Sequence, residues 1–180
     1  MQDEPTSLRI PDPGVRAYFT EPARFQWWVD VEGAVARAQA ELDIIPEAAA
    51  REIVAKAQLR FLDMEAVRAG LAKTGHPLVP LVWALDKACQ GDAGGYVHWG
   101  ATTQNVTQTG QLLQARRAHE IFLGQLAALL TTLADLAERS KDMLLPGRTH
   151  GQHAVPATLG FKVSVWIDEL GRHAERLVGC

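Results

Sequence analysis

The spacing of hydrophobic residues along this chain is that of α-helices almost throughout. Thr20, followed by Glu21 and Pro22, has the sequence of a helix N-terminus, and apolar side chains then recur at helical intervals. The short apolar–polar alternation typical of β-strands is nearly absent. We therefore predict an all-α fold. Its first helices are expected at about 21–42, 46–56 and 63–70, with another beginning at Pro77.

The second part of the chain predicts two much longer helices, at about 106–139 and 157–178. The first would span ~50 Å, whereas a compact domain of this chain length has a diameter of only ~40 Å. Its middle, 121–137, is apolar on nearly every face, so it should be buried all round. We expect it to pack against residues outside this sequence, against other subunits, or both. A self-contained helical hairpin with one apolar face is the alternative.

Composition narrows the class of protein. The chain is 47% hydrophobic and 22% charged, which excludes a disordered chain, and its net charge of −3 gives no electrostatic reason to expect nucleic acid or an anionic membrane. Two cysteines, an acidic N-terminus and no long uninterrupted apolar run predict a cytoplasmic protein without a membrane span. Two domains are predicted: 1–105, a small N-terminal helical domain with an irregular arm, and 106–180, the start of a long-helix bundle.

A polar segment, 96–109, precedes the longest helix and is the first candidate site. It places His98, Thr102, Thr103, Gln104 and Asn105 around a helix N-terminus, where unpaired backbone N–H groups and the helix dipole favour an anion. A carboxylate is the natural ligand. The alternative is a threonine-rich N-cap with nothing bound.

The second candidate lies between the two long helices, where Arg148, Thr149, His150, Gln152 and His153 crowd into six positions. Histidine is the usual general acid near neutral pH. A solvated loop remains the alternative for either histidine alone, and no acidic or thiol ligand is nearby to complete a metal site. No metal and no cofactor are predicted. His76, within 73–77, is a third candidate that taken alone is typical of a turn.

Taken together, these segments resemble the fumarase/aspartase superfamily. The matching stretches are Val97-His-Trp-Gly-Ala-Thr-Thr-Gln-Asn105, Gly147-Arg-Thr-His-Gly-Gln152, and the helix 28–42 followed by Ile45-Pro46. They are most similar to the branch that holds 3-carboxy-cis,cis-muconate cycloisomerase and adenylosuccinate lyase. The resemblance implies an all-α protein with a central bundle of long helices. It also implies a homotetramer in which each active site combines segments from three subunits.

The resemblance also implies a role for each matching residue. His150 falls at the position of the general acid that protonates the leaving group during β-elimination beside a carboxylate. Thr102 and Thr103 fall where a substrate carboxylate is bound. The remaining implied substrate-binding residues are His76, His98, Gln104, Arg148, Thr149 and Gln152. The implied substrate is a small di- or tricarboxylate, with no nucleic acid or membrane partner.

Three positions depart from the family pattern: Thr103 replaces a serine, and Asn105 and Gln108 replace aspartates. The family's third block, a glycine-serine-rich loop that supplies the catalytic base, has no counterpart here. We therefore expect an N-terminal fragment that is inactive alone. The separation of Arg16 from Tyr18 and the segment 162–166 favour a cycloisomerase, which is the preferred interpretation. His76 and His98 favour the alternative, adenylosuccinate lyase. A helical scaffold without catalysis is a further alternative.

Overall fold

The computed structural model describes residues 11–179, and within them the fold is helical, as predicted. The chain divides into two compact units, one ending at Ala118 and the other beginning at His119, and each is described by itself. The predicted domain boundary between residues 105 and 106 stays a prediction. The helices are α1 Val15–Tyr18, α2 Glu21–Glu41, α3 Glu47–Lys56, α4 Met64–Thr74, α5 Leu78–Ala88, α6 Thr103–Arg139 and α7 Leu159–Val178, and the strands are β1 Leu144–Thr149 and β2 Gln152–Thr158.

Helix α2 is the centre of the first unit. Thr20 caps it as predicted, since its Oγ1 accepts a hydrogen bond from the Ala23 N–H at 3.3 Å. Helices α3 and α5 pack against α2. Completely buried side chains from all three helices fill the space between them, including Val29, Ile53 and Leu85. The unit therefore has a hydrophobic core of its own.

Helix α4 begins where the sequence predicts but ends four residues later than the predicted end at Gly70. Asp63 caps its N-terminus, and Gly75, with φ 65°, ends it in the left-handed conformation that favours glycine. Gly70 has a different purpose: a Cβ there would lie 2.8 Å from the Cβ of Pro80. It permits close packing of α4 on α5 rather than stopping the helix.

Helix α6 begins at Thr103, three residues before the predicted start, and at 37 residues it is ~55 Å long. Within the first unit Val106 is buried and Gly110 lies against Trp28, where a Cβ would approach the Trp28 Cδ1 to 2.6 Å. Gln114 donates from Nε2 to the Tyr18 carbonyl oxygen at 2.5 Å. The start of α6 is thus fixed to α2 and to the segment that precedes it.

In the second unit, much of the apolar surface of α6 lies open. Phe122 and Leu129 are 50% and 46% exposed, and an 18-residue window of α6 reaches a mean hydropathy of 1.4. By length and composition alone α6 meets the criteria for a helix that crosses a membrane, and core helices of soluble proteins meet the same criteria. Within residues 119–179, Leu126 and Val163 are the hydrophobic side chains that are fully buried. The unit exposes apolar surface that a partner would normally cover.

The segment between the two long helices, for which an all-α fold predicts a loop, is instead an antiparallel β-hairpin. Strands β1 and β2 pair from Leu144↔Thr158 to Thr149↔Gln152, which leaves His150 and Gly151 as a two-residue turn. Both turn residues have positive φ, 48° and 74°, as a type I′ turn requires. Prolines and a glycine within the strands hid the alternation, since Pro146 pairs with Pro156 and the register shifts after Gly147.

Candidate active site

One face of α2 carries three side chains that contact the candidate histidines or the backbone next to them. Trp28, Glu32 and Gln39 lie within about 40° of one another around the helix axis, at about 100° per residue. We call these three residues the α2 clamp. Each contacts a different part of the sequence motifs, and all of the residues involved belong to the first unit.

Glu32 and His98 form a buried pair. The Nδ1 atom of His98 lies 2.6 Å from the Glu32 Oε1, and the side chains are 20% and 2% exposed respectively. Burial raises the pKa of Glu32 above its ordinary value of 4.5, and the hydrogen bond and charge of His98 oppose that rise. The carboxylate therefore depends on the imidazole for its stabilisation. Its other oxygen, Oε2, is buried without a hydrogen-bond partner among residues 11–179.

The backbone around His98 is held in an unusual conformation. His98 has φ 59° and Gly100 has φ 63°, both in the left-handed region, which for a histidine is uncommon. Gln39 donates from Nε2 to the Trp99 carbonyl oxygen at 2.6 Å, and the Ala101 N–H donates to the His98 carbonyl oxygen at 3.2 Å. The clamp thus fixes both the ring of His98 and the chain that carries it.

His76, which precedes α5 in the chain, packs against the same face of α2. Its ring stacks on Trp28 with centroids 6.2 Å apart and an interplanar angle of 21°. The Leu78 N–H donates to its Nδ1 at 3.1 Å, so the proton of the neutral ring lies on Nε2. The Nδ1 of His98 faces the Glu32 carboxyl group instead of a backbone N–H. The two imidazoles therefore have hydrogen-bond partners of different kinds at Nδ1, and both are held by side chains one turn apart on α2.

The N-terminus of α6 follows directly after His98. The Thr102 carbonyl oxygen accepts from the Asn105 N–H at 3.0 Å, which leaves the N–H groups of Thr103 and Gln104 in the unpaired first turn. Thr103 is half-buried, and Thr102, Gln104, Asn105 and Gln108 are exposed. Unpaired N–H groups at a helix N-terminus favour an anion, and the carboxylate site here stays a prediction.

The hairpin of the second unit carries the other predicted site residues, Arg148, Thr149, His150 and Gln152. All four are exposed, and among residues 11–179 their side chains have no hydrogen-bond partner. His150 occupies the turn at the tip of the hairpin. Beside β1, a cleft of about 540 Å³ is lined by two cationic side chains, Arg148 and Lys162, and by Trp166. The hairpin thus presents exposed polar side chains on two strands that backbone hydrogen bonds hold together.

Sequence reasoning missed the α2 clamp. Glu32 lies within the helix predicted at 21–42, and a charged residue on a face that packs inward is itself a signal. Carboxylates are almost never fully buried unless they are paired. That rule identifies Glu32 as functional or structural but does not name His98 as its partner.

Comparison with known proteins identifies the family to which this chain is similar. The sequence matches a family of lyases over residues 7–179. It is 41% identical to adenylosuccinate lyase from Methanothermobacter thermautotrophicus, over 100% of this chain and 40% of the relative. It is 40% identical to 3-carboxy-cis,cis-muconate cycloisomerase from Pseudomonas aeruginosa, over 91% of this chain and 36% of the relative. The crystal structure of a fumarate lyase from Mesorhizobium sp. BNC1 superimposes with a TM-score of 0.86 at 40% identity, covering 93% of this chain and 40% of that one.

The chain belongs to the lyase family of the fumarase/aspartase superfamily. It spans about 40% of the length of the adenylosuccinate lyase that it matches.

Proposed function

We propose that the native protein is a lyase that cleaves a succinyl group to release fumarate, as adenylosuccinate lyase does. The observation that carries this proposal is the pair of histidines on the α2 clamp. His76 and His98 are the residues whose resemblance favours the adenylosuccinate branch, and the structure holds both on one helix face. The N-terminus of α6, at Thr102 and Thr103, lies a few residues further along the same segment.

In the proposed reaction, a base removes a proton from the carbon next to a substrate carboxylate. The electron pair left on that carbon forms the new C=C bond while the bond to the leaving nitrogen breaks. His150 donates its proton to the leaving group, so charge and protons balance. Donors fixed around the carboxylate stabilise the developing carbanion, and the unpaired N–H groups of α6 provide such donors. The base itself belongs to a segment outside this sequence, as the resemblance implies.

The second candidate is the cycloisomerase that the sequence analysis placed first. Arg16 and Tyr18 are separated by Ala17, whereas an adjacent pair is expected in a nucleotide-binding lyase. The identities to the two relatives are 41% and 40%, so they do not separate the two activities. Both candidates share chemistry beside a carboxylate, which Thr102 and Thr103 would bind in either case.

A substrate screen tests this proposal. The native protein, expressed from its complete gene, would be assayed with adenylosuccinate and with 3-carboxy-cis,cis-muconate, following fumarate release and lactone formation respectively. We expect fumarate from adenylosuccinate. Lactone formation alone would assign the cycloisomerase, and turnover of neither substrate would favour a different lyase or a scaffold.

We also infer that the native protein is a cytoplasmic homotetramer with sites shared between subunits. The exposed apolar residues of α6 support this inference, since surface of this kind marks interfaces. Two impaired variants, His98→Ala and His150→Ala, would be denatured together and refolded. Activity in the mixture above that of either variant refolded alone is the expected result. Sedimentation that gives a monomer would contradict the inference.

A further inference from the structure

We propose that Glu32 is the positioning residue of His98: its carboxylate holds the proton of the imidazole on Nδ1, so that Nε2 is the atom offered to the substrate. This inference rests on the proposed function, because the substrate is the one His98 would meet there. Glu32 does not itself touch the reacting atoms. It acts through His98, as the carboxylate behind a histidine does in many sites.

The geometry supports this assignment in three ways. The Nδ1 to Oε1 distance of 2.6 Å is that of a strong, charge-assisted hydrogen bond. Glu32 is 2% exposed whereas His98 is 20% exposed, so the pair has a buried side and an accessible side. Nε2 lies across the ring from Nδ1 and thus faces away from the carboxylate. A neutral imidazole in this arrangement presents a bare Nε2, and a protonated one presents an Nε2–H donor.

The surrounding clamp makes this orientation specific. Gln39 holds the Trp99 carbonyl oxygen two turns further along α2, and Ala101 closes a turn onto the His98 carbonyl. His98 is therefore fixed at its ring by Glu32 and at its backbone by the neighbouring bonds. A buried carboxylate is expensive to keep in an apolar core, and packing alone would be met better by an apolar side chain. The cost is consistent with a functional requirement for the negative charge.

Two substitutions separate positioning from packing. Glu32→Leu removes the acceptor while retaining bulk. Glu32→Gln preserves the shape of the side chain, but its amide can either accept from Nδ1 or donate to it and so no longer selects one tautomer. If Glu32 only fills space, the Gln variant should behave as wild type. If it fixes the proton, the Gln variant should fall between wild type and the Leu variant.

The first measurement needs no substrate. ¹⁵N-histidine NMR on the native protein, with the His98 signals assigned by their loss in His98→Ala, reports which ring nitrogen carries the proton. We expect the Nδ1–H tautomer in wild type and loss of that preference in both Glu32 variants. Since it requires no turnover, this result stands whether or not the proposed reaction is correct. A wild-type Nε2–H tautomer would overturn the proposal.

The second measurement is a double-mutant cycle on kcat/KM. Glu32→Leu should lower kcat/KM by about 10- to 100-fold, the usual effect of removing the partner that orients a histidine. In a His98→Ala background the same substitution should cost less than about twofold, because the residue that Glu32 orients is gone. Equal losses in both backgrounds would show that Glu32 acts independently of His98 and would overturn the proposal. Absence of turnover in wild type would count against the proposed function alone.

Discussion

His98 and His150 are both motif histidines in left-handed backbone conformations, yet the protein supports them in opposite ways. His98 has φ 59° and is held by a buried carboxylate and by the α2 clamp. His150 has φ 48° and lies exposed at the tip of a β-hairpin, where only the turn fixes it. The first histidine is oriented before any ligand arrives. The second lies at the exposed tip of the hairpin, and no residue within 11–179 holds its ring.

The difference corresponds to the two proposed tasks. A group that recognises a substrate gains from a fixed tautomer and orientation, because its geometry must match the ligand in advance. A general acid must lose and regain a proton in each cycle, and its ring can complete its orientation when the site is assembled. Strain in the backbone is common to both, as expected of functional positions.

The largest effect should come from the hairpin tip. His150→Asn replaces the turn dipeptide by Asn-Gly, the preferred pair for a type I′ turn. In the native protein kcat should fall by about 10²–10⁴-fold, the contribution of a general acid, while stability rises by up to about 1 kcal/mol. Steady-state kinetics and thermal unfolding check the two parts. His153→Asn is the matched control, for which kcat should change by no more than a few-fold, and an unchanged kcat in His150→Asn would remove His150 from its role.

Replacing His98 should destabilise the protein more than replacing His150. His98→Ala leaves the Glu32 carboxylate buried without its partner, so the free energy of unfolding should fall by about 1–3 kcal/mol. His150→Ala removes an exposed ring and should change it by no more than about 0.5 kcal/mol. Urea unfolding of both variants measures the difference. Equal losses would mean that His98 is no better integrated than His150.

The pH dependence of stability sharpens the account of Glu32. Burial raises its folded-state pKa above 4.5, so between the two values the folded protein retains a proton that the unfolded chain has lost. The resulting stabilisation is complete below pH 4.5 and is lost as the pH rises through the folded-state pKa. Relative to Glu32→Gln, which cannot titrate, wild type should become progressively less stable over that range. Glu21→Gln, an exposed substitution on the same helix, controls for net charge, and a difference that grows in favour of wild type would contradict the account.

The smallest effect concerns Cys89, which lies in the first unit. Burial, reinforced by the charges of Glu52 and Asp86, raises its pKa to about 11. At pH 8 its thiolate fraction is about 200-fold below that of free cysteine, and the higher nucleophilicity of the thiolate recovers about 10- to 20-fold of this. A Cys180→Ser variant should therefore react with a disulfide reagent about 10-fold or more slowly than free cysteine. Reaction at the rate of free cysteine would show that this part of the first unit is open to solvent.

Local sequence signals predicted most of the fold. Thr20 and Asp63 each cap a helix that begins where the sequence predicts it. Capping is predictable because the cap side chain accepts from a backbone N–H only three residues further along the chain. The end of α4 was placed wrongly because Gly70 and Gly75 look alike in sequence and differ only in what surrounds them. The hairpin was missed because its prolines disguise strands whose pairing becomes visible only across the turn.

The sequence names candidate site residues but not the side chains that hold them in place. The motifs named His76, His98 and His150, since those residues lie in segments with a recognisable pattern. Glu32 is 66 positions away from His98 along the chain, and no spacing rule connects them. Pairings of this kind follow from helix packing, which a single sequence does not specify.

The most direct test of the contrast between the two histidines is the division of kinetic effects in the native protein, measured as kcat and KM for the substrate that the screen identifies. We expect His98→Ala to act mainly by raising KM and His150→Ala to act mainly by lowering kcat, because the proposed role of His98 is to bind the substrate and that of His150 is to transfer the proton. The reverse division, or equal effects on both parameters in both variants, would contradict the account.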